Sequence, residues 1–268
     1  MLKSLLLISA LAGADAVGAT SQVAPLSPCC EIIELRQYLL HPDRRDAFIP
    51  FFEREFIETQ EVVGNTVIGQ FRDLDNPDHF TWLRGFRDMP QRAEALQAFY
   101  GGDIWKAHRD AANAFFIDTD NVLLLHAVQP KSAFDLKGSV QAPPGATKNP
   151  PGLLVATIYS FAEPVDARFV ELFEEQVRPQ ILADGVRLLG YYASETAANN
   201  FPRLPVREKD HVFVWFAMYK DADDYASHRN RLDHSAPWRA AVTRLQHEMN
   251  APTQVLRLSP APRSRLHG

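Results

Sequence analysis

The sequence predicts an α+β protein assembled from two consecutive β-α-β-β-α-β units. Two observations carry this. Segments of alternating hydrophobicity and segments of helical period follow one another in the same order twice, separated by a stretch rich in proline, glycine, lysine and serine. Aromatic and glycine positions also recur at constant offsets between the two halves. With 268 residues, 46% hydrophobic and 23% charged, the chain is long enough to bury a core in each half.

The first unit opens with an alternating strand over residues 31–40, EIIELRQYLL. A helix follows from Pro42, its Phe48, Phe51, Phe52, Phe56 and Val63 spaced to share one face, and Gly64 ends it. Residues 66–73 and 80–88 read as a hairpin around the turn Asp75-Asn76-Pro77-Asp78. Residues 90–116 have helical period interrupted at Gly101-Gly102, which predicts two helices, and 118–128 closes the unit as a fourth strand.

The second unit repeats this plan. At an offset of 121, Tyr38 matches Tyr159, Phe48 matches Phe169, Phe52 matches Phe173, Gly64 matches Gly185 and Gly69 matches Gly190. At an offset of 133, Phe80 matches Phe213, Trp82 matches Trp215, Asp88 matches Asp221, Trp105 matches Trp238 and Val122 matches Val255. The change of offset implies a 12-residue insertion between the hairpin strands of the second unit, near TAANNFPRLPVR. The expected divisions are a signal peptide at 1–19, a linker at 20–30, the first unit at 31–128, a second linker at 129–151, the second unit at 152–260 and a tail at 261–268.

Each such unit has the ferredoxin-like order, an antiparallel sheet with both helices on one face. Its other face needs cover, and two sheets packed face to face supply it as one α+β barrel of the dimeric type, contained in a single chain. The period of two then sorts side chains. Ile33, Leu35 and Leu39 are expected to face the helices, with Glu34, Arg36 and Tyr38 turned into the barrel beside Trp82, Arg84 and Phe86.

The runs ELRQYLLHPDRRDAF, FEREF, QEVVG, GQFRDLDNPDHFTWLRGFRDM, ALQAFYGGDIWKAHRDAANA and DTDNVLLL resemble NIPSNAP proteins, members of the dimeric α+β barrel group. The resemblance is dense over about residues 31–125 and carries to the second unit as a degenerate copy. It implies the ferredoxin-like barrel fold. For function it implies vesicle, mitochondrial and protein-interaction roles rather than a defined reaction.

Composition narrows the function classes. A formal charge of -5 leaves no basic surface for nucleic acid. Lys3, the apolar run from Leu5 to Ala12 and the small residues up to Ala19 form a secretory-signal pattern, too short to span a bilayer as a stable membrane segment. The protein is therefore expected in the periplasm or secreted, or in the cytoplasm if the segment is not a signal. Cys29 and Cys30, the chain's two cysteines, are adjacent, cannot staple distant segments and are expected as packing or exposed thiols.

Arg36, Tyr38, Trp82, Arg84 and Phe86 are the candidate ligand-binding residues: two guanidiniums and a phenol among aromatic rings suit an anionic, partly aromatic molecule. Alternatively the arginines pair internally with Glu34, Asp73 or Asp88. At the offsets above, Arg36 corresponds to Thr157 and Arg84 to Ala217, so the polar set is confined to the first unit, with the second as its lid. Catalytic candidates are Arg36, Tyr38, Arg84 and His108, the last as a general base. No metal site is expected: the histidines are scattered, and Asp73, Asp75, Asp78 and Asp88 read as turn formers and arginine partners before they read as Ca²⁺ ligands. No nucleotide or serine-hydrolase motif occurs, and no cofactor is expected, with haem as the alternative. The leading expectation is an exported barrel that binds a small anionic or apolar ligand or a protein partner, with self-association open. Its rival is a cofactor-independent oxygenase or isomerase-like enzyme, and a haem-binding barrel stands third.

Overall fold

The computed structural model describes residues 30–183 and 185–268. The signal segment, Cys29 and most of the 20–30 linker lie outside the described residues. The first unit comprises β1 (Ile32–Leu40), α1 (Arg45–Glu55), α2 (Ile57–Glu61), β2 (Thr66–Asp73), β3 (His79–Phe86), α3 (Met89–Gly101), α4 (Asp103–Asn113), β4 (Phe116–Asp118) and β5 (Val122–Ala127). The second comprises β6 (Leu153–Phe161), α5 (Ala167–Leu172), a π turn (Phe173–Val177), α6 (Arg178–Leu182), β7 (Arg187–Ser194), β8 (His211–Tyr219), α7 (Ala222–His234), α8 (Ala236–Glu248) and β9 (Gln254–Pro260).

The strands run β3-β2-β9-β6-β8-β7-β5-β1, and β1 pairs back onto β3, closing an eight-stranded antiparallel barrel. The short β4 pairs antiparallel with the end of β1. Two ferredoxin-like units thus supply four strands each, meeting at the β2–β9 and β5–β7 seams. Registers inside the units correspond: Arg36 sits opposite Trp82 as Thr157 sits opposite Trp215, and Tyr38 opposite Phe80 as Tyr159 opposite Phe213.

Several sequence-matched pairs have a visible reason. Asp88 and Asp221 cap the N-termini of α3 and α7, accepting hydrogen bonds from the backbone N–H of Gln91 and Asp224 at 2.7 and 2.9 Å. Gly64 and Gly185 follow the first helical segment of each unit at φ 98 and 76, where a side chain is strained. Gly102 separates α3 from α4, as its position in the sequence predicted. The last strand of the first unit differs from expectation, since it is split into β4 and β5.

The facing of the strands is the reverse of the sequence expectation. Ile33, Leu35 and Leu83 fill the barrel with Ile68, Phe71 and Leu125, and Leu154, Ala156, Val214 and Phe216 meet them from the second unit. Tyr38 and Trp82 pack instead with Phe48, Phe52 and Phe56 of the helical layer, and Phe86 with Ala95 and Leu96 of α3. Glu34, Arg36 and Arg84 share that outer face, because successive side chains alternate. The physical reason is partner supply. The barrel interior is filled by aliphatic and aromatic side chains, whereas in the sheet–helix layer the Tyr38 hydroxyl, Gln60 of α2 and the Asn199 and Asn200 amides supply acceptors for the guanidiniums. With helices outside and a packed barrel inside, both strand faces are buried.

The barrel interior also receives residues from outside the units. Phe134, at the start of the segment expected as a linker, is fully buried and packs on Tyr192 and Phe216 with ring centroids 5.2 and 5.1 Å away. Leu266 of the C-terminal segment joins the same core. Cys30 is buried there at φ 78 and is disulfide-bonded, which overturns the free-thiol expectation for it.

Candidate functional site

The outer face of β1 and β3 carries an ionic cluster shut away from solvent. Glu34, Arg36, Arg84 and Arg92 are each at most 1% exposed. Arg36 Nη1 donates to Glu34 Oε2 at 2.6 Å and Arg84 Nε to the same oxygen at 3.1 Å, while Arg92 Nε reaches Glu34 Oε1 at 2.8 Å from α3. Three guanidiniums therefore face one carboxylate. The remaining acceptors are neutral: the Tyr38 hydroxyl for Arg36 at 2.8 Å, the Gln60 amide for Arg84 at 3.0 Å, and Asn199 and Asn200 for Arg92 at 3.1 and 2.7 Å. Aromatic faces add to this, with Arg84 lying 5.1 Å from the Trp82 ring and Arg36 5.3 Å from that of Tyr38.

Burial alone pushes the Glu34 carboxyl up, but Arg84, Arg36 and Arg92 outweigh it and hold the group well below the usual carboxylate range. Burial also pushes the Tyr38 phenol up, against the pull of Arg36. Arg92 shifts down because desolvation exceeds what Glu34 returns.

The structure brings together all five predicted ligand-binding residues, yet in the layer between sheet and helices. Arg36 and Arg84 are both locked to Glu34, the internal pairing that the sequence left open, with Arg92 as an unforeseen member. His108 is not part of the group. It lies on α4, one-third exposed, with Nε2 3.4 Å from Glu55 of α1. The four hairpin aspartates are occupied separately: Asp73 accepts from the backbone of Asp75 and Asn76, Asp75 pairs with Arg257, Asp78 accepts from the Asp43 N–H, and Asp88 caps α3.

The second unit presents the other possibility. Between the outer face of its sheet and α7–α8 lies a cavity of about 420 Å³, within the range of small-molecule sites. Thr157 and Tyr159 of β6 and Trp215 and Tyr219 of β8 form its floor, and Tyr225, Arg229, Trp238 and Leu245 are among its helical walls. Where the first unit pairs Glu34 with Arg84, the second pairs Val155 with Ala217, both packed in the core of that layer. Thr157, at the register of Arg36, is the short side chain that lines the cavity.

The cavity's polar groups are mostly hydroxyls. Burial pushes the Tyr159 phenol up to about 12. Tyr219 shares a hydrogen bond of 3.0 Å with Nδ1 of the fully buried His228, and its ring stands edge-on to Tyr225 at 5.1 Å. Arg229 is paired with Asp233 at 3.3 Å, so the two ionic groups in the wall compensate each other. No histidine is among the residues that line the cavity, and among the described residues no group of three or more His, Cys, Asp or Glu side chains is placed to hold a metal ion. The sequence signal for this space is the short Thr157 at the position of Arg36 beside the retained aromatics Tyr159 and Trp215, a loss of volume that reads in the sequence only as a loss of charge.

The fold places the chain among the α+β barrel proteins. A candidate monooxygenase from Fusobacterium nucleatum subsp. nucleatum is 14% identical, with 86% of this chain and 92% of that chain covered at a TM-score of 0.54. An anthrone oxidase-like protein is 13% identical, with 88% and 95% covered at a TM-score of 0.51. A NIPSNAP family protein from Agrobacterium tumefaciens is 21% identical, covering 45% of this chain and 95% of that chain, with a TM-score of 0.35. No family model matches the chain, and no curated protein matches it.

Proposed function

We propose that this protein binds a small, largely apolar aromatic molecule bearing a neutral hydroxyl or carbonyl group, in the cavity between the second sheet and α7–α8. The observation that carries this is the 420 Å³ space bounded by Trp215, Trp238 and three tyrosines. Flat rings match flat walls, and the hydroxyls of Thr157 and Tyr159 give a polar end to orient the ligand. A charged ligand is disfavoured because Arg229 already has Asp233. Export, on the Lys3–Ala19 pattern, belongs to the same proposal, as does descent of the two units from one ancestral unit.

Titration with 2-naphthol, followed by tryptophan fluorescence, tests the reading, since Trp215 and Trp238 both border the space. Saturable quenching is expected, weakened at least about ten-fold by Thr157→Phe, which fills the floor. Quenching that Thr157→Phe leaves unchanged sinks the proposal. Native mass spectrometry of the purified protein reports any retained molecule and the oligomeric state together.

One observation favours a catalytic second reading, the Tyr219–His228 pair beside the cavity. Passing a proton from a bound phenol or enol through the Tyr219 hydroxyl to the imidazole leaves an electron-rich anion able to react with dioxygen. The fold-level likeness to a candidate monooxygenase and an anthrone oxidase-like protein supports it to the extent of architecture. Oxygen consumption with 2-naphthol, lost in Tyr219→Phe, is its signature; tight binding without oxygen uptake leaves the binding function alone.

A further inference from the structure

The ionic cluster of the first unit is short of negative charge, and the segment that closes it comes from the other unit. Residues 196–207, the insertion read from the offsets, leave β7 and cross to α3. There Arg92 Nη1 donates to Asn199 Oδ1 at 3.1 Å and Asn200 Oδ1 at 2.7 Å. The next residue, Phe201, is 6% exposed and stacks on Tyr100, with centroids 5.8 Å apart and planes 28° from parallel. The chain thus sets side by side an sp² oxygen on a guanidinium and an aromatic ring on a tyrosine. That pair of features is the outline of an aryl carboxylate, with one element missing: the amide oxygens are neutral.

The surrounding electrostatics favour the missing charge. Glu34 answers three guanidiniums, and every other acceptor in the cluster is uncharged. A carboxylate on Arg92 makes a charge-assisted bond, roughly twice as strong as a neutral one, and offsets part of the surplus. The covering segment also lies outside the strand pairing of the barrel, held as a strap by bonds such as Asn199 Nδ2 to Leu204 O and Asn200 Nδ2 to Met89 O. It contains no helix or strand, and its ends are pinned by backbone bonds, Glu195 N–H to Leu124 O and Arg207 N–H to Val122 O, both 2.9 Å. Swinging Asn199–Phe201 outward between these pins breaks no pairing of the barrel.

We propose that Asn199, Asn200 and Phe201 are an internal stand-in for a small aryl carboxylate, which displaces them to bind Arg92 with its ring against Tyr100. The strap lowers apparent affinity by the fraction of time that it is closed. This site is separate from the cavity of the second unit.

The test is isothermal titration at low salt with phenylacetate, its neutral amide and inorganic phosphate, against the wild-type protein and the Phe201→Ala variant. Phenylacetate is expected to bind the variant at least about ten-fold tighter than the wild type, while the amide and phosphate bind weakly to both. Arg92→Gln in the variant background abolishes the signal, and Thr157→Phe leaves it intact, which separates it from the other cavity. Equal phenylacetate affinity in wild type and variant, or equal binding of amide or phosphate, overturns the proposal. Asn200→Asp supplies a second readout that does not depend on a truncated strap. Its thermal midpoint is expected to rise by a few degrees as the aspartate meets Arg92, with phenylacetate binding lost; a fall in midpoint contradicts the charge argument.

Discussion

In the first unit the space between sheet and helices is taken up by Glu34, Arg36, Arg84 and Arg92 and closed by residues from the second unit. In the second unit the strand positions at corresponding registers carry Val155, Thr157 and Ala217, and a 420 Å³ cavity lies there. The frame hardly differs: Tyr38 and Tyr159, Trp82 and Trp215, and Trp105 and Trp238 all line their respective layers. The same layer thus holds a buried ion cluster in one unit and a cavity in the other. The seam-crossing strap makes the difference asymmetric, since one unit lends cover to the other.

The comparison is broken most directly at Glu34. Glu34→Gln leaves three buried guanidiniums without a counter-charge and is expected to cost about 3–5 kcal/mol, read by urea denaturation, whereas Thr157→Val in the second unit costs less than about 1 kcal/mol. Similar losses at both sites would mean that the two layers carry equal electrostatic weight. The same carboxylate predicts an acid limb. Its folded pKa lies below its unfolded value of about 4.3, so its contribution is complete above that value and is lost as pH falls through the folded pKa. Wild-type stability should decline on acidification below about pH 5, and Glu34→Gln should lack that component of the decline.

Phe201→Ala addresses the strap. Removing a ring that is 6% exposed is expected to cost about 2 kcal/mol, with faster hydrogen exchange over 196–207 and little change in the barrel strands. Exchange that rises equally everywhere would show the strap to be part of the global fold. Smaller still is Tyr159→Phe, expected below about 1 kcal/mol in stability while weakening 2-naphthol. The smallest effect belongs to Asp75→Ala, which removes an exposed pair with Arg257 across the β2–β9 seam. Denaturation should register about 0.5 kcal/mol or less, and a larger loss would assign that surface pair a real part in joining the units.

Much of the barrel was legible in the sequence for identifiable reasons. Phe48, Phe52 and Phe56 announced an amphipathic helix, Gly64 and Gly185 its end, and Asp88 and Asp221 the start of the next helices. Strand facing was not legible. When helices cover one face and a packed barrel the other, both faces of β1 are buried, and alternation no longer marks inside from outside. Arg92 was not legible because an arginine near the start of a helix ordinarily projects to water, and nothing local marks that this one is buried beside Ala95, Leu96 and Phe99. The cavity was missed because its signal is absent volume, and volume is shared among β6, β8, α7 and α8.

The sequence by itself determined the element order, the correspondence of the two units, the insertion and the confinement of the arginines to the first unit, because caps, periodicity and offsets are local or pairwise properties of the chain. Only the tertiary structure decided which side of the sheet those arginines occupy, which segment covers them and where space remains. Those outcomes depend on which distant groups are available to satisfy a buried charge: Gln60 from α2, Arg92 from α3 and Asn200 from the other unit converge on β1 and β3 only once the barrel has closed.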